Sequence, residues 1–267
     1  MAACKKILVF DSGLGGLTVY REIAAARPDA EFIYVADDAG FPYGEIEEQA
    51  LIRRVVALFG ELIEAHHPDL IVIACNTAST IVLPELRKTF ALPFVGTVPA
   101  IKPACAVSVT GRVSVLGTEA TVKREYTRAL IRDYAQNCEV TLVGSKSLAG
   151  LAEAQLAGAA VSDADIRAEI APCFRDDGKR TDTVVLACTH YPLLIDRLRQ
   201  LAPWPVNFLD PAPAIARRVV DLLGAAGDSE DRGSTRAIFT SGRPPAAALG
   251  LIQCRFDPRF DTLRVSP

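Results

Sequence analysis

Long apolar runs and clusters of basic residues are both missing from this chain of 267 residues. Because no run reaches about 18 apolar residues, the sequence contains no candidate for a membrane-spanning helix. The opening MAACKKILVFD lacks the layout of a signal peptide, so the cytoplasm is the expected location. The net charge is −3 and Lys and Arg are scattered, so we expect neither nucleic acid nor a membrane as a partner.

Residue spacings typical of disulfide frameworks and metal sites are also missing. The seven cysteines are an odd number without framework spacing, and disulfides are therefore not expected. No C-x-x-C pair occurs among them. Cys75, Cys188 and His190 carry atoms that bind zinc, but the C-x-H spacing is not that of a usual zinc motif, so no metal is expected.

The glycine-rich loop DSGLGGL at 11–17 lacks a dinucleotide fingerprint, because Thr18 stands where G-x-G-x-x-G requires its third glycine. Its glycines are better suited to a tight turn with backbone N–H groups for a small anion. Farther along, Pro42-Tyr43-Gly44 is predicted as a loop of restricted shape whose aromatic hydroxyl suits closure over a ligand. The alternative is an ordinary turn with a half-buried Tyr43.

Short apolar segments alternate with helical patterns along most of the chain. Such alternation predicts a doubly wound parallel sheet in each of two similar lobes, with the strand ends of both lobes lining one cleft. A single helix is expected at 78–90, a crossover between the lobes near Pro99 and Pro103, and irregular structure after residue 242. The predicted strands lie at 5–10, 31–36, 70–74, 111–118, 139–144, 183–187, 206–210 and 235–242.

Two of these strands end in the same arrangement around a cysteine. DLIVIACNTAS at 69–79 and DTVVLACTHYP at 182–192 each begin with Asp and pass through a buried apolar run to Ala-Cys. Asn76 and the threonine after it are good N-cap residues, so a helix is expected to start beside Cys75. The positive end of a helix dipole lowers the pKa of a thiol. The matching context predicts a helix start beside Cys188 as well.

Two equivalent acid/base groups on opposite faces of one carbon suit racemisation or epimerisation. One thiolate removes a proton, and the thiol on the far side delivers another. Two other hypotheses stay open on these residues alone. Cys188 with His190 could serve acyl transfer, which leaves Cys75 without a role. A two-lobed binding protein would use the same fold but would not need a thiol at each strand end.

Four motifs, in this order and spacing, resemble those of the cofactor-independent glutamate racemases of bacterial cell-wall synthesis. The motifs are DSGLGGL at 11–17, PYG at 42–44, ACNTAS at 74–79 and ACTHYP at 187–192. The resemblance implies that L- and D-glutamate are interconverted without a cofactor, to supply D-glutamate for peptidoglycan. The related aspartate racemases are the nearest enzymatic alternative, and PYG and ACTHYP favour glutamate.

The resemblance also implies an architecture and a set of site residues. Lobe 1 is expected at 1–97, with 212–267 returning to it, and lobe 2 at 98–211. Cys75 and Cys188 are implied as the two bases. The implied catalytic assistants are Asp11, Glu153 and His190. The implied glutamate-binding residues are Asp11, Ser12, Pro42, Tyr43, Gly44, Asn76, Thr77, Thr118, Thr189 and His190. Glutamate is the expected small-molecule partner, and a homodimer is compatible with the apolar helix faces.

Overall fold

The computed structural model describes residues 4–227, 233–243 and 260–261. The described residues divide into two compact units, one from Met1–Thr97 with Ala212–Pro267 and the other from Val98–Pro211. Each unit contains one parallel sheet flanked by helices, which confirms the predicted α/β class. Of the helices that the structure describes, none is long and apolar enough to span a bilayer.

The sheet of the first unit is six-stranded and parallel. Its strands are β1 (Lys6–Asp11), β2 (Glu31–Ala36), β3 (Leu70–Ile73), β4 (Phe94–Gly96), β9 (Thr235–Phe239) and β10 (Phe260–Asp261). They are ordered β10-β9-β2-β1-β3-β4. In the register, Phe10 of β1 is level with Ile73 of β3, so the residues that follow these strands emerge at the same edge of the sheet.

Helices cover both faces of this sheet, and α2 shows how the sequence specifies them. Glu47 caps α2 by accepting hydrogen bonds from the backbone N–H groups of Gln49 and Ala50. The helix buries one apolar stripe, and each buried side chain contributes about 1.5–3 kcal/mol. The stripe is Leu51, Val55, Leu58, Phe59 and Leu62. The helices are α1 (Leu17–Ala26), α2 (Glu48–His66), α3 (Asn76–Ile81), α4 (Leu83–Thr89) and α11 (Ala212–Leu223), with 3-10 turns at Asp38–Gly40 and Tyr43–Glu45.

The second unit repeats this strand order on a smaller scale. Its strands are β5 (Arg112–Thr118), β6 (Glu139–Ser145), β7 (Thr183–Ala187) and β8 (Asn207–Leu209). The order β6-β5-β7-β8 matches β2-β1-β3-β4 position by position, so a cysteine follows the third strand of each unit. The helices are α5 (Ile101–Val107), α6 (Glu119–Lys123), α7 (Glu125–Tyr134), α8 (Leu148–Leu156), α9 (Asp163–Ile170) and α10 (Ile195–Leu201), with 3-10 helices at Ala171–Cys173 and Tyr191–Leu194.

Two predictions about local structure were wrong, and one helix was not predicted. The single helix expected at 78–90 is divided at Val82, because Pro84 has no N–H to continue the ladder of backbone hydrogen bonds. The expected crossover near Pro103 contains α5, since proline is tolerated in a first helical turn. The tail expected to be irregular contains β10, which pairs with β9 but is too short to give a periodic pattern. The rest of that tail lies outside the described residues.

Candidate active site

Cys75 follows β3 and caps the first turn of α3. The backbone N–H of Ala78 donates a hydrogen bond to the Cys75 sulfur at 3.4 Å. The predicted helix start beside this thiol is therefore present, although the cap is Cys75 itself and Asn76 is already the first helical residue. A thiolate here faces an N–H donor and the positive end of a short helix dipole, and both stabilise negative charge on sulfur.

The loop after β1 brings a hydroxyl group to this sulfur. The Ser12 hydroxyl lies 3.6 Å from Cys75 Sγ. Asp11 beside it is fully buried, and its carboxylate accepts a hydrogen bond from the Gly13 N–H at 3.1 Å. Gly16 must be glycine because a Cβ there would lie 2.5 Å from the Asp11 Cβ. The glycine-rich loop is thus the predicted tight turn, and it holds Ser12 close to Cys75.

Asn76 has an unusual environment for an amide side chain. It is only 2% exposed, and neither Nδ2 nor Oδ1 has a hydrogen-bond partner among the residues that the structure describes. Leaving a buried polar group unpaired costs about 1–3 kcal/mol. An amino acid carries both the acceptor and the donor that this amide lacks. Thr77, the next residue of α3, is also buried.

The PYG loop differs from its prediction. Tyr43 is buried, and its hydroxyl donates to Asp37 Oδ2 at 2.5 Å, so the aromatic hydroxyl expected to close over a ligand is already bonded within the protein. Burial and the Asp37 charge raise the pKa of Tyr43 well above its ordinary value, which keeps the hydroxyl a donor. Pro42 precedes the 3-10 turn Tyr43–Glu45. What this loop can still offer a ligand is its backbone at Tyr43 and Gly44.

Cys188 follows β7, but the α-helix predicted beside it is absent. The chain makes a turn, with the Tyr191 N–H bonded to the Cys188 carbonyl at 3.2 Å, and continues as the 3-10 helix Tyr191–Leu194. Pro192 is the physical reason, because it has no N–H and the first turn closes with 3-10 geometry instead. The two cysteines therefore follow equivalent strands, but an α-helix follows Cys75 whereas a turn and a 3-10 helix follow Cys188.

A side-chain relay takes the place of the helix at Cys188. The Cys188 sulfur lies 3.8 Å from His190 Nδ1, and His190 Nε2 lies 2.6 Å from Glu153 Oε1 on α8. His190 is 2% exposed and the Glu153 side chain 23%. When Nε2–H donates to the carboxylate, Nδ1 is the acceptor that the thiol requires. The carboxylate then orients the ring and stabilises the imidazolium that forms when the ring takes a proton.

Two threonines complete the predicted residues of this unit. Thr118 ends β5, and because Gly117 pairs with Ala187, it lies at the same edge of the sheet as Cys188. Its hydroxyl accepts a hydrogen bond from the Thr121 N–H at 3.1 Å and so caps α6. Thr189 is buried directly after Cys188.

The remaining metal and thiol candidates are weaker. Within residues 4–227, 233–243 and 260–261, no group of three His, Cys, Asp or Glu side chains is arranged to hold a metal ion. Burial raises the pKa of Cys173 to about 12, and this thiol stays protonated at neutral pH. Asp37, which follows β2, is bonded to Arg54 and Thr240, and no local sequence signal indicated these partners.

Comparison with known proteins gives closely related sequences over almost the whole chain. A glutamate racemase of Brucella canis is 57% identical over 253 residues, which are 93% of this chain and 91% of the relative. A glutamate racemase of Sinorhizobium medicae is 58% identical over 252 residues, or 93% of each chain.

Solved structures and a family model agree with these relatives. The Escherichia coli glutamate racemase in complex with L-glutamate and the activator UDP-MurNAc-ala superimposes with a TM-score of 0.89 at 41% identity, covering 99% of this chain and 100% of that one. The Thermus thermophilus glutamate racemase in complex with beta-chloro-D-alanine gives 0.75 at 30% identity, covering 97% of each. The model of the Asp/Glu/hydantoin racemases matches residues 7–219, and this chain belongs to that family.

Proposed function

We propose that this protein interconverts L-glutamate and D-glutamate by proton transfer at Cα, without a cofactor, with Cys75 and Cys188 as the two acid/base groups. The observation that carries the proposal is the pair of equivalent strand ends, each with a buried cysteine whose sulfur has its own hydrogen-bonding partner. The relatives named glutamate racemase support glutamate as the substrate.

The two sulfurs have complementary tasks in this proposal. By resemblance to the family, Cys75 takes the proton of D-glutamate and Cys188 that of L-glutamate. The Ala78 N–H and the Ser12 hydroxyl stabilise a Cys75 thiolate. His190 accepts or returns the Cys188 proton. Each sulfur is thus a base in one direction and an acid in the other. Each turnover leaves a proton on the sulfur that began as the base, so a second turnover in the same direction requires the two sulfurs to exchange protons with solvent.

Substrate binding is assigned to the polar groups around these sulfurs. The Asn76 amide is the strongest candidate, because an amino acid would satisfy both of its unpaired atoms. In the PYG loop, Pro42 sets the backbone of Tyr43 and Gly44, which is proposed to contact the substrate. The other proposed contacts are Asp11, Ser12, Thr77, Thr118, Thr189 and His190.

The setting of this reaction follows from its product. D-Glutamate is a building block of peptidoglycan, so we place the protein in the cytoplasm, where such precursors are made. Aspartate is the alternative substrate of the same family. Assembly as a homodimer stays a prediction, and sedimentation equilibrium tests it.

One experiment tests the proposed reaction directly. Purified protein is incubated with L-glutamate in D₂O without added cofactor, and NMR follows deuterium at Cα while a chiral assay follows D-glutamate. Deuterium uptake together with inversion is expected for glutamate and should be far slower for aspartate. If neither enantiomer of glutamate exchanges its Cα proton, the proposed function is wrong.

A further inference from the structure

Asp37, the residue after β2, is fully buried and bonded from three sides. Arg54 of α2 forms a two-pronged ion pair with it, Nε to Oδ2 at 2.7 Å and Nη2 to Oδ1 at 2.5 Å. The Tyr43 hydroxyl donates to Oδ2, and the Thr240 hydroxyl donates to Oδ1 at 2.6 Å. We refer to Asp37, Tyr43, Arg54 and Thr240 as the Asp37 cluster.

Hydrogen bonds to the Asp37 carboxylate stabilise its negative charge by more than burial destabilises it. Burial alone would raise the pKa of Asp37, but hydrogen bonds from Arg54, Thr240 and Tyr43 lower it below its usual value. The carboxylate therefore stays ionised at neutral pH. A buried carboxylate that loses one of its donors is left undersatisfied, and the groups around it must rearrange.

The cluster joins segments far apart in the sequence to the PYG loop. Thr240 follows β9, which belongs to the returning part of the chain, and lies 203 residues from Asp37. Its hydroxyl also accepts a hydrogen bond from the Ala39 N–H at 3.2 Å, so one side chain holds both the carboxylate and the backbone that leads into the loop.

Packing around Gly40 leaves the loop little freedom. A Cβ on Gly40 would lie 2.9 Å from Arg54 Nε and 3.0 Å from both Asp37 Oδ2 and Tyr43 Cε1. The loop backbone is thus pressed against the polar core of the cluster. On its other side, Tyr43 belongs to the same buried group as Cys75. A shift of the cluster would therefore move the loop relative to that thiol.

We infer that Asp37 and Thr240 are positioning residues, which hold the PYG loop in the conformation that presents the backbone of Tyr43 and Gly44 to the substrate. This inference rests on the proposed function for the identity of the substrate. The part of the inference that concerns the order of the loop does not depend on the proposed function, because that order can be measured without any substrate. Neither residue is among the groups proposed to contact glutamate.

The test compares Thr240→Val with two matched variants. Thr240→Val keeps the shape of the side chain and removes its hydroxyl, and Thr240→Ser restores the hydroxyl. Ser241→Ala is the control, because the Ser241 hydroxyl donates to Asp38 Oδ2 at 2.5 Å in the same turn but outside the cluster. We expect Thr240→Val to raise KM for glutamate about tenfold with a smaller change in kcat, and the other two variants to stay within about twofold.

Hydrogen exchange of the full chain supplies a readout that is independent of activity. Amides of the segment 38–47 should exchange faster in Thr240→Val and at the wild-type rate in Thr240→Ser and Ser241→Ala. Should Thr240→Val fail to fold, Tyr43→Phe removes one hydroxyl from the same carboxylate and should give the same two effects.

The outcomes separate the two proposals. A wild-type protein that does not racemise glutamate refutes the proposed function, and the exchange rates still decide whether the cluster orders the loop. An active wild type whose KM is unchanged by Thr240→Val overturns the positioning role, whatever the exchange rates. Unchanged exchange in Thr240→Val overturns it as well.

Discussion

The two cysteine sites occupy the same place in two sheets of the same strand order and yet are built differently. At Cys75 the neighbours of the sulfur include a helix N–H, which donates to it, and the Ser12 hydroxyl. At Cys188 the neighbour is His190, which is itself a base and is bonded to Glu153. The fold thus repeats the position of the thiol but not the means of stabilising its charge.

This difference affects how the thiolate form of each cysteine is stabilised. A backbone N–H stabilises a thiolate at any pH near neutrality, because it carries no titrating proton. The His190 imidazole can itself take up the proton of the sulfur, so the Cys188 site contains a second base. Variants at the two sites should therefore fail in different ways.

Removing either thiol should abolish inversion while leaving half of the exchange reaction. In Cys75→Ser and Cys188→Ser, racemisation should fall by about 10³ or more, since positioned acid/base groups contribute about 10²–10⁴ each. Deuterium uptake at Cα should survive for L-glutamate in Cys75→Ser and for D-glutamate in Cys188→Ser. NMR of each variant with each enantiomer measures this, with Cys138→Ser as the control. Equal loss for both enantiomers in both variants would show that the cysteines are not a two-sided pair.

His190→Asn should lower kcat/KM by about 10², and Glu153→Gln by about tenfold, because the ring accepts the proton, whereas the carboxylate orients the ring and stabilises its charged form. The two directions must lose the same factor, since the equilibrium constant of a racemisation is 1. The asymmetry should appear in isotope effects instead. With Cα-deuterated L-glutamate the isotope effect should rise in His190→Asn, and with the D-enantiomer it should fall.

The control for this pair is Glu125→Gln, which neutralises an exposed glutamate of the same unit that is paired with Arg132. It should leave kcat/KM and both isotope effects at their wild-type values. Isotope effects that change equally for the two enantiomers in His190→Asn would show that the ring does not act specifically on proton transfer at Cys188.

Sequence reasoning could predict the likeness of the two sites better than their difference. The strands before Cys75 and Cys188 are fully buried apolar runs, a signal that local pattern carries well. The relay depends on Glu153, which is 37 residues from His190 and lies on a helix without a local motif. Only the resemblance to the family indicated it. Pro192 was a local signal against a regular helix after Cys188. The likeness of the two cysteine motifs was wrongly given more weight than this proline.

Ser12→Ala should have a smaller effect that is confined to one site. It removes the hydroxyl 3.6 Å from the Cys75 sulfur and leaves the Ala78 N–H in place, so we expect kcat/KM to fall about three- to tenfold. Alkylation of Cys75 by iodoacetamide in the empty protein should slow by a similar factor, while that of Cys188 should not change. Mass spectrometry of the labelled peptides measures both. Slower alkylation of Cys188 would mean that the variant disturbs more than the Cys75 site.

The smallest expected effects come from the aspartates that begin the two cysteine motifs. Asp182 accepts hydrogen bonds from the Ser108 hydroxyl and the backbone N–H groups of Val109 and Thr110, at 2.6, 2.7 and 2.8 Å. Asp69 accepts from the Lys6 N–H at 2.8 Å and pairs with a lysine, but its side chain is 37% exposed and screened by water. Although burial opposes the shift, these bonds lower the pKa of both carboxyls. Asp69 and Asp182 thus each fix the start of the strand that follows, and Asp182 does so with more hydrogen bonds than Asp69.

Asp182→Asn should therefore cost about 1–2 kcal/mol of unfolding free energy at pH 7, and Asp69→Asn about 0.5 kcal/mol. Because the folded pKa lies below the unfolded value of 3.8, the carboxylate's stabilisation is complete well above pH 4 and is lost as the pH falls through the folded pKa. The cost of Asp182→Asn should accordingly stay nearly constant from pH 7 down to about pH 5 and shrink as the pH falls below about 4 toward the folded pKa. Trp204 is the one tryptophan and donates to the Thr181 carbonyl at 2.8 Å, so its fluorescence in a urea titration reports on the second unit. Its midpoint should shift for Asp182→Asn and stay unchanged for Asp69→Asn, and a shift in Asp69→Asn would show that the two units unfold together.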